Sequence, residues 1–227
     1  MSVMSPVSSA GFRSGTPVTF DPPLGCLEAE FPIVLRRYRL GLALFVAAIG
    51  MLFVGFSSAY VVRRGIPTYD PGTGAYSAMW EPLRLPVALL LLNSCFLVGA
   101  SGAIEIFRRR TSVGKLKDGG MGHAVAWWLH ASLLFGLAFL VGQGIAWRRL
   151  ASSGQFLSTG ARTAFFYVLT STHALHALIG VSAIAVIAIF GAHMSPMRRY
   201  IAVDLAAWYL HAMTLLWVYL LCFLLFA

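Results

Sequence analysis

The sequence predicts an all-α membrane protein that crosses the bilayer five times. Its 227 residues are 59% apolar and only 11% charged, and the mean hydropathy is +0.78. This composition excludes an ordinary soluble domain. Five apolar runs are each longer than the roughly 20 residues that a helix needs to cross a bilayer. Unbroken runs of that length favour transmembrane helices over a β-barrel.

The five predicted helices follow an N-terminal arm. Residues 1–38 are polar and rich in Pro, Gly and Ser, which predicts a loosely attached cytoplasmic segment. Residues 39–227 form one membrane domain, because no connection between the apolar runs is long enough for a second domain. The apolar runs are Leu40–Val62, Leu85–Phe107, Ala124–Trp147, Ala164–Phe190 and Leu205–Phe226.

The basic residues predict the orientation of the chain. A net charge of +9 would suit nucleic acid in a soluble protein, but here the Lys and Arg residues flank apolar runs. In that place they serve topology and lipid headgroups, so no nucleic-acid partner is expected. They are more numerous in the arm and in the second and fourth connections than on the opposite side. The positive-inside rule therefore predicts an N-terminus in the cytoplasm and a C-terminus outside it.

The fourth predicted helix carries two histidines in an otherwise apolar run. His173 and His176 are three residues apart, and Gly180 follows four residues after the second. At about 100° per residue, the three positions fall within one narrow stripe of the helix. An ionisable side chain is costly against lipid, so this stripe should face other helices. The glycine would let one of those helices approach closely.

Three histidines on different helices permit a redox interpretation. At about 1.5 Å per residue, His130, His176 and His211 are predicted at similar depths, where they could ligate a b-type haem. Alternatively, each imidazole hydrogen-bonds a backbone carbonyl or a hydroxyl group of a neighbouring helix, as polar groups inside membranes usually do. The spacing favours the second interpretation and leaves the first open.

Few other side chains inside the predicted helices can carry chemistry. Glu105 and Asp204 are the acidic candidates for a proton path, and both are expected at the membrane interface. The helix centres contain no carboxylate, so we expect no proton path through this chain alone. The amides of Asn93 and Gln143 predict a hydrogen bond between helices. The three cysteines lie far apart and predict neither a zinc site nor a disulfide framework.

Two motifs near the C-terminus resemble subunit III of the haem-copper (cytochrome c) oxidases. The first is H-x-x-H-x-x-x-G on the penultimate helix, here His173, His176 and Gly180. The second lies on the last helix, where an acidic residue precedes A-A-W-Y-x-H and a later tryptophan. Its residues are Asp204, Ala206, Ala207, Trp208, Tyr209, His211 and Trp217. The resemblance extends from residue 36 to the end of the chain.

The resemblance implies a particular fold and a particular setting. The family's five-helix form would place a two-helix pair and a three-helix group on either side of a cleft filled with phospholipid. The subunit would bind no redox metal and would have no catalytic residues. It would pack in the inner (plasma) membrane on subunit I, which holds haems and copper, with copper-centre subunit II in the same complex. His173, His176, Gly180, Asp204, Trp208, His211 and Trp217 would then be structural.

The resemblance also implies a lipid site and carries three departures. Arg39 matches a family position at headgroup level, and Arg198 or Arg199 would supply charge from the other wall of the cleft. Where the family commonly has membrane carboxylates, this sequence has Ile49, Ala146 and Thr214. Any proton role of those acids is therefore not expected here. An accessory subunit of a nitric oxide reductase or a quinol oxidase, and a b-haem membrane anchor, are the alternatives.

Overall fold

A computed structural model describes residues 24–70, 72, 74–77, 86–111, 123–156 and 160–226. Within them, the all-α class with five helices long and apolar enough to cross a membrane is confirmed. A short 3₁₀ turn, Gly191–His193, joins the last two helices. The helices are α1 (Leu24–Gly65), α2 (Val87–Arg110), α3 (His123–Ser152), α4 (Ala161–Phe190) and α5 (Pro196–Phe226).

The first helix begins earlier than the sequence pattern predicts. Part of the predicted arm, residues 1–23, lies outside the described residues, but α1 starts at Leu24 and continues through Pro32 into the first apolar run. The reason is local propensity, because Leu, Glu and Ala occupy positions 27–30 and all three are strong helix formers. By its own contacts the chain divides into residues 1–36 and residues 37–227.

A small β-hairpin that the sequence analysis did not predict lies between α1 and α2. Strands β1 (Thr68–Asp70) and β2 (Ala75–Ser77) pair antiparallel, with Tyr69 opposite Tyr76. Gly74 has φ +65°, a left-handed conformation that glycine adopts without strain. An isolated pair of such short strands contributes little stability, so the helices decide the fold.

Helices α2 to α5 form a ring in which each packs against two others. The pairs are α2 with α3, α3 with α4, α4 with α5, and α5 with α2, and the first pair has the largest contact. Small residues allow the α2–α3 approach: Ser132 donates to the carbonyl of Ala100 at 2.8 Å. A side chain at Gly142 would collide with the Asn93 amide. Close packing through small residues is the usual means of helix association in lipid.

Helix α1 packs against this ring through long side chains. Phe45 stacks on Tyr209 with 6.2 Å between ring centroids, and Tyr60 meets Phe223 at 5.1 Å. Only 17% of its most apolar stretch is buried, against 33–39% for the other four helices. The glycines of its membrane segment have no atom within 4 Å of the position where a Cβ would lie, so no neighbouring helix packs closely against them.

The described helices are therefore not grouped as two plus three. That arrangement predicted a pair formed by the first two helices, whereas α2 packs on α3 and α5, and α1 contacts α4 and α5. The physical reason lies in the side chains: α2 presents its small and hydrogen-bonding residues to α3, and α1 presents aromatic rings and a guanidinium to α5.

Candidate functional site

An ion-pair cluster joins α1, α2 and α5 near the start of α5. We define it as Arg39, Glu105, Arg108, Asp204 and His211. The carboxylate of Asp204 is completely buried. Arg39 donates to it through two nitrogens, each at 2.8 Å, and Arg108 donates to its Oδ1 at 3.0 Å. Two guanidinium groups thus share one buried carboxylate.

Glu105 is the second centre of the ion-pair cluster. Arg108 binds it through two nitrogens, at 2.7 and 2.8 Å, and Arg109 donates to it at 2.6 Å. The Nε2 atom of His211 lies 3.2 Å from its Oε2, while the Nδ1 atom of His211 is hydrogen-bonded to Ser101. Arg108 bridges both carboxylates, so the cluster is one continuous network.

The ion-pair cluster fixes helix positions. Removing a charge from water is costly, and a buried ion pair is tolerated only when its remaining hydrogen-bonding atoms are satisfied. The bidentate contacts of Arg39 and Arg108 meet this requirement. They stabilise the pairing and also fix the relative orientation of the two side chains. Because Arg39 is on α1 and Asp204 is on α5, their pair is a direct polar link between α1 and the ring.

An apolar groove lies beside Arg39 on the surface between α1 and α5. Its volume is about 460 Å³, and the Arg39 side chain remains 43% exposed there despite its pairing with Asp204. The groove therefore places a guanidinium at one position along an otherwise hydrocarbon-like surface. Its lining residues are Arg39, Leu42, Ala43, Val46, Ala47, Trp208 and Ala212.

The other two predicted lipid-binding arginines are not among the residues that line this groove. Arg198 is exposed in the first turn of α5. Arg199 is buried, and its Nε atom lies 3.4 Å from where a Cβ of Gly191 would stand. The structure therefore separates the three arginines into a groove residue, an exposed residue and a residue packed into the fold.

His173 lies at the centre of the ring within what we call the aromatic cage, formed by Phe53, Phe139 and Trp217. Their ring centroids are 6.4, 5.8 and 5.0 Å from that of the imidazole. His173 has no exposed surface. The indole N–H of Trp217 donates to the hydroxyl of Ser94 at 2.8 Å, which attaches the cage to α2.

His176 and Gly180 shape the contact between α4 and α5. The Nδ1 atom of His176 is 2.7 Å from the carbonyl of Thr172 in its own helix. Tyr209 donates its hydroxyl to the carbonyl of His176 at 3.0 Å. A Cβ at Gly180 would lie 3.1 Å from the Tyr209 ring, so the glycine admits that ring, as the close approach predicted there requires.

Comparison with known proteins identifies the family. The family model described as cytochrome c oxidase subunit III matches residues 27–227. The chain belongs to the cytochrome c oxidase subunit III family.

Relatives named cytochrome c oxidase subunit 3 are 25–29% identical to this chain over the aligned residues. The protein of Pylaiella littoralis is 29% identical over 82% of this chain and 65% of its own length. The protein of Mus musculus is 28% identical over 83% of this chain and 69% of its own length, and that of Pyricularia grisea is 25% identical over 82% and 66%. The match thus spans about two thirds of the length of these subunit III proteins.

The histidines of this subunit III chain have separate environments. His130 is exposed on α3 and lies 2.9 Å from the carbonyl of Ala126 in its own helix, whereas His211 belongs to the ion-pair cluster. His176 makes an edge-to-face contact with Phe53 of α1, with 6.0 Å between the ring centroids. Within the part of the chain that the structure describes, no three His, Cys, Asp or Glu side chains are placed to share a metal ion. The b-haem anchor is not favoured, because the family model and the relatives describe an oxidase subunit and the three histidines have different surroundings.

The predicted hydrogen bond between side-chain amides of different helices is confirmed. Asn93 on α2 donates to Gln143 on α3 at 3.4 Å, and both residues are buried. At the three positions where the resemblance implies membrane carboxylates, the side chains present are accommodated without an acid. Ile49 and Ala146 are buried apolar residues, and Thr214 donates to the carbonyl of Leu210 in its own helix at 2.8 Å.

The sequence analysis underestimated Glu105 and did not single out Arg108, Arg109 or Ser101. A usable signal existed, because arginines three and four residues after a glutamate lie on the same helix face and pair with it. That spacing does not reveal the pairing of Arg108 with Asp204, which is 96 residues away in the sequence.

Proposed function

We propose that this chain is a non-catalytic core subunit III of a respiratory cytochrome c oxidase. In that complex, electron transport to oxygen is coupled to proton pumping. The chain would pack on subunit I, which carries the haems and copper, with copper-centre subunit II in the same assembly. The observation that carries the proposal is the family match over residues 27–227. The alternatives are an accessory subunit of a nitric oxide reductase or of a quinol oxidase. They are not favoured, because the relatives are named cytochrome c oxidase subunit 3.

The proposed role is structural because the polar side chains of the site are occupied with one another. Glu105 and Asp204 accept from arginines, and both nitrogens of His211 have partners. A general acid, a nucleophile or a metal ligand needs a side chain directed toward a reacting group. We therefore assign no catalytic residue and no resident cofactor to this chain, and place haem and copper in the partner subunits.

Phospholipid is the proposed ligand of the groove beside Arg39. An acyl chain suits a surface made of Leu, Ala and Val side chains, and the exposed part of the guanidinium suits a phosphate. Arg198, exposed in the first turn of α5, is proposed as a second headgroup contact. Arg199 is buried, so its proposed contribution to lipid binding is the smallest of the three.

We further propose an inner (plasma) membrane location with the N-terminus in the cytoplasm. The support is the excess of Lys and Arg in the arm and in the even-numbered connections. With an N-terminal segment 1–38 and a membrane domain 39–227, the ion-pair cluster would lie near the cytoplasmic surface, since it includes the first membrane turn of α1 and the last turns of α2.

Co-purification tests the proposed assembly. The full chain, tagged and expressed in its own host, would be solubilised in mild detergent and its complex separated by native electrophoresis for mass spectrometry. We expect the oxidase catalytic subunit and the copper-centre subunit at equal stoichiometry. A chain that migrates alone with a stoichiometric b-haem, or with nitric oxide reductase subunits, would overturn the proposal. The same host carrying the tag on an unrelated membrane protein is the control.

A further inference from the structure

Three polar side chains inside the ring retain hydrogen-bonding atoms without partners. Asn93, Gln143 and His173 are each at most 1% exposed. Among the described residues, Asn93 Oδ1, Gln143 Nε2 and both ring nitrogens of His173 lack a hydrogen-bond partner. In a neutral imidazole one nitrogen donates and the other accepts. The unpaired atoms therefore include both donors and acceptors.

The helix register places Gln143 beside His173. On α3, Phe139 contacts the His173 ring at 5.8 Å, and Trp147 donates to Thr170 on α4 at 3.0 Å. Gln143 is one turn from each of these α3 residues, so it shares their face of the helix. It therefore lies between two levels of contact with α4, against the turn that carries His173.

Asn93 completes the set from α2. It donates from Nδ2 to Oε1 of Gln143 at 3.4 Å, longer than the usual range of about 2.7–3.2 Å. This single long bond leaves the opposite atoms of the two amides unpaired. Gly142 lets the Asn93 oxygen lie against the α3 backbone, because a Cβ there would collide with it. The two amides are therefore held in place by one hydrogen bond, and a second hydrogen bond between them does not form.

We infer that one or two ordered water molecules bind inside the ring and bridge Asn93, Gln143 and His173. An unpaired polar group in an apolar interior costs about 1–3 kcal/mol, and a buried water typically forms about three hydrogen bonds. Such a water accepts from the Gln143 amide and donates to Asn93 Oδ1 or to an imidazole nitrogen.

The surrounding side chains cannot replace this water. The aromatic cage presents ring carbons and faces to His173, and an N–H directed at a ring gives only a weak contact. The indole N–H of Trp217 and the hydroxyl of Ser94 already bind each other. The site is thus polar and buried, with rings around His173, and a water molecule is a small ligand that both donates and accepts hydrogen bonds.

Radiolytic hydroxyl-radical labelling of the intact membrane complex tests the inference. Bound water is activated in place by X-rays, so side chains beside it are oxidised even when they are buried. Phe139 and Phe166 form a matched pair, since both are phenylalanines with no exposed surface. We expect Phe139 to be oxidised several-fold faster than Phe166. Equal rates would mean a dry site in which His173 contacts only rings, and would overturn the inference.

Two variants show which side chains hold the water. In Gln143→Met, which removes the amide at nearly constant volume, the rate at Phe139 should fall severalfold toward that at Phe166. In the triple variant Asn93→Leu, Gln143→Met, His173→Phe, the two rates should become equal. If the rate at Phe139 stays unchanged in a folded Gln143→Met complex, the water is not held by these residues and the inference is wrong.

Discussion

The ion-pair cluster and the aromatic cage show two ways of placing a histidine in a membrane protein. In the cluster, His211 has a partner at each ring nitrogen, Ser101 and Glu105. In the cage, His173 has no described partner at either nitrogen and is enclosed by rings. His211 and Trp217 of the cage are only about 9 Å apart along α5, at 1.5 Å per residue. The two environments therefore change from ionic to aromatic within two turns of one helix.

The comparison shows which interactions hold the helices together at each depth in the membrane. Near the start of α5, charged groups from three helices satisfy one another, so the loss of one partner leaves another charge buried. Deeper among the helices, the contacts are between closely packed aromatic side chains. There, a substitution that reduces side-chain volume should destabilise the protein more than one that removes a polar group. Substitutions that remove charge in one region and volume in the other separate these two sources of stability.

The largest effect is expected for Asp204→Asn. This change keeps the size of the side chain but leaves Arg39 and Arg108 facing a neutral amide in a buried position. Breaking a fully buried ion pair on one side typically costs about 3–5 kcal/mol, and because both guanidinium groups are partly exposed we expect a loss near the lower end of that range. Thermal inactivation of the purified complex should occur at a markedly lower temperature, with less assembled complex in the membrane.

The matched control for Asp204→Asn is Arg37→Ala, which alters an exposed charge on α1 two residues before Arg39 and should change stability by less than about 0.5 kcal/mol. The double variant Arg39→Gln, Asp204→Asn should recover part of the loss. A stability of Asp204→Asn equal to that of wild type would show that the ion-pair cluster does not hold α1 to the ring.

Volume should dominate in the aromatic cage. His173→Ala leaves a cavity among Phe53, Phe139 and Trp217, and we expect a loss of about 2–4 kcal/mol by analogy with large-to-small core changes. His173→Phe retains a ring and should cost far less. Thermal denaturation followed by Trp fluorescence measures both. If the two variants lose equal stability, the polarity of His173 matters more than its volume.

A smaller effect is expected where α4 meets α5. Gly180→Ala would bring a Cβ to 3.1 Å from the Tyr209 ring, and such overpacking costs about 1–3 kcal/mol. Gly144→Ala is the matched control, because nothing lies within 4 Å of its Cβ position. That change should be neutral or stabilising by up to about 1 kcal/mol through helix propensity. The same thermal assay compares them, and a Gly180→Ala protein as stable as the control would contradict the close contact.

The smallest change in stability is expected for Arg39→Lys. Lysine keeps a positive charge opposite Asp204 but cannot bind a carboxylate or a phosphate through a planar fork. We expect fewer phospholipids per complex in native mass spectrometry, with the assembly intact. Arg148→Lys, at an exposed position of α3, is the control. Equal lipid content in the two variants would remove Arg39 from the proposed lipid site.

The helices were predictable because their signals are local. Each apolar run is continuous, and the stripe of His173 and Gly180 follows from helix geometry alone, so their burial against other helices is confirmed. The predicted start of the first helix was wrong, because α1 begins at Leu24 and not at the start of the apolar run at Leu40. The polar composition of the arm concealed residues that favour a helix. The hairpin was not predicted because strands of three residues are too short to show an alternating pattern of apolar and polar residues.

The partners across the bundle were not predictable in the same way. Nothing in the sequence near Glu105 indicates His211, and nothing near Arg39 indicates Asp204, because these contacts depend on which helices become neighbours. The grouping of helices failed for that reason, since it was taken from the family resemblance and not from the side chains. The small residues of α2 and α3 contained the relevant signal, but many helices carry such residues.

The pairing of Arg39 with Asp204 imposes an order of events during synthesis. The two residues are 165 positions apart, and chains grow at about 5–20 residues per second. Roughly 8–33 seconds therefore pass, at those rates, between the appearance of the guanidinium and that of its carboxylate. During this interval Arg39 has no Asp204 to pair with, so this link between α1 and the other helices forms only after the last helix is made. A nascent chain truncated before α5 should accordingly leave α1 accessible to cross-linking with insertion factors.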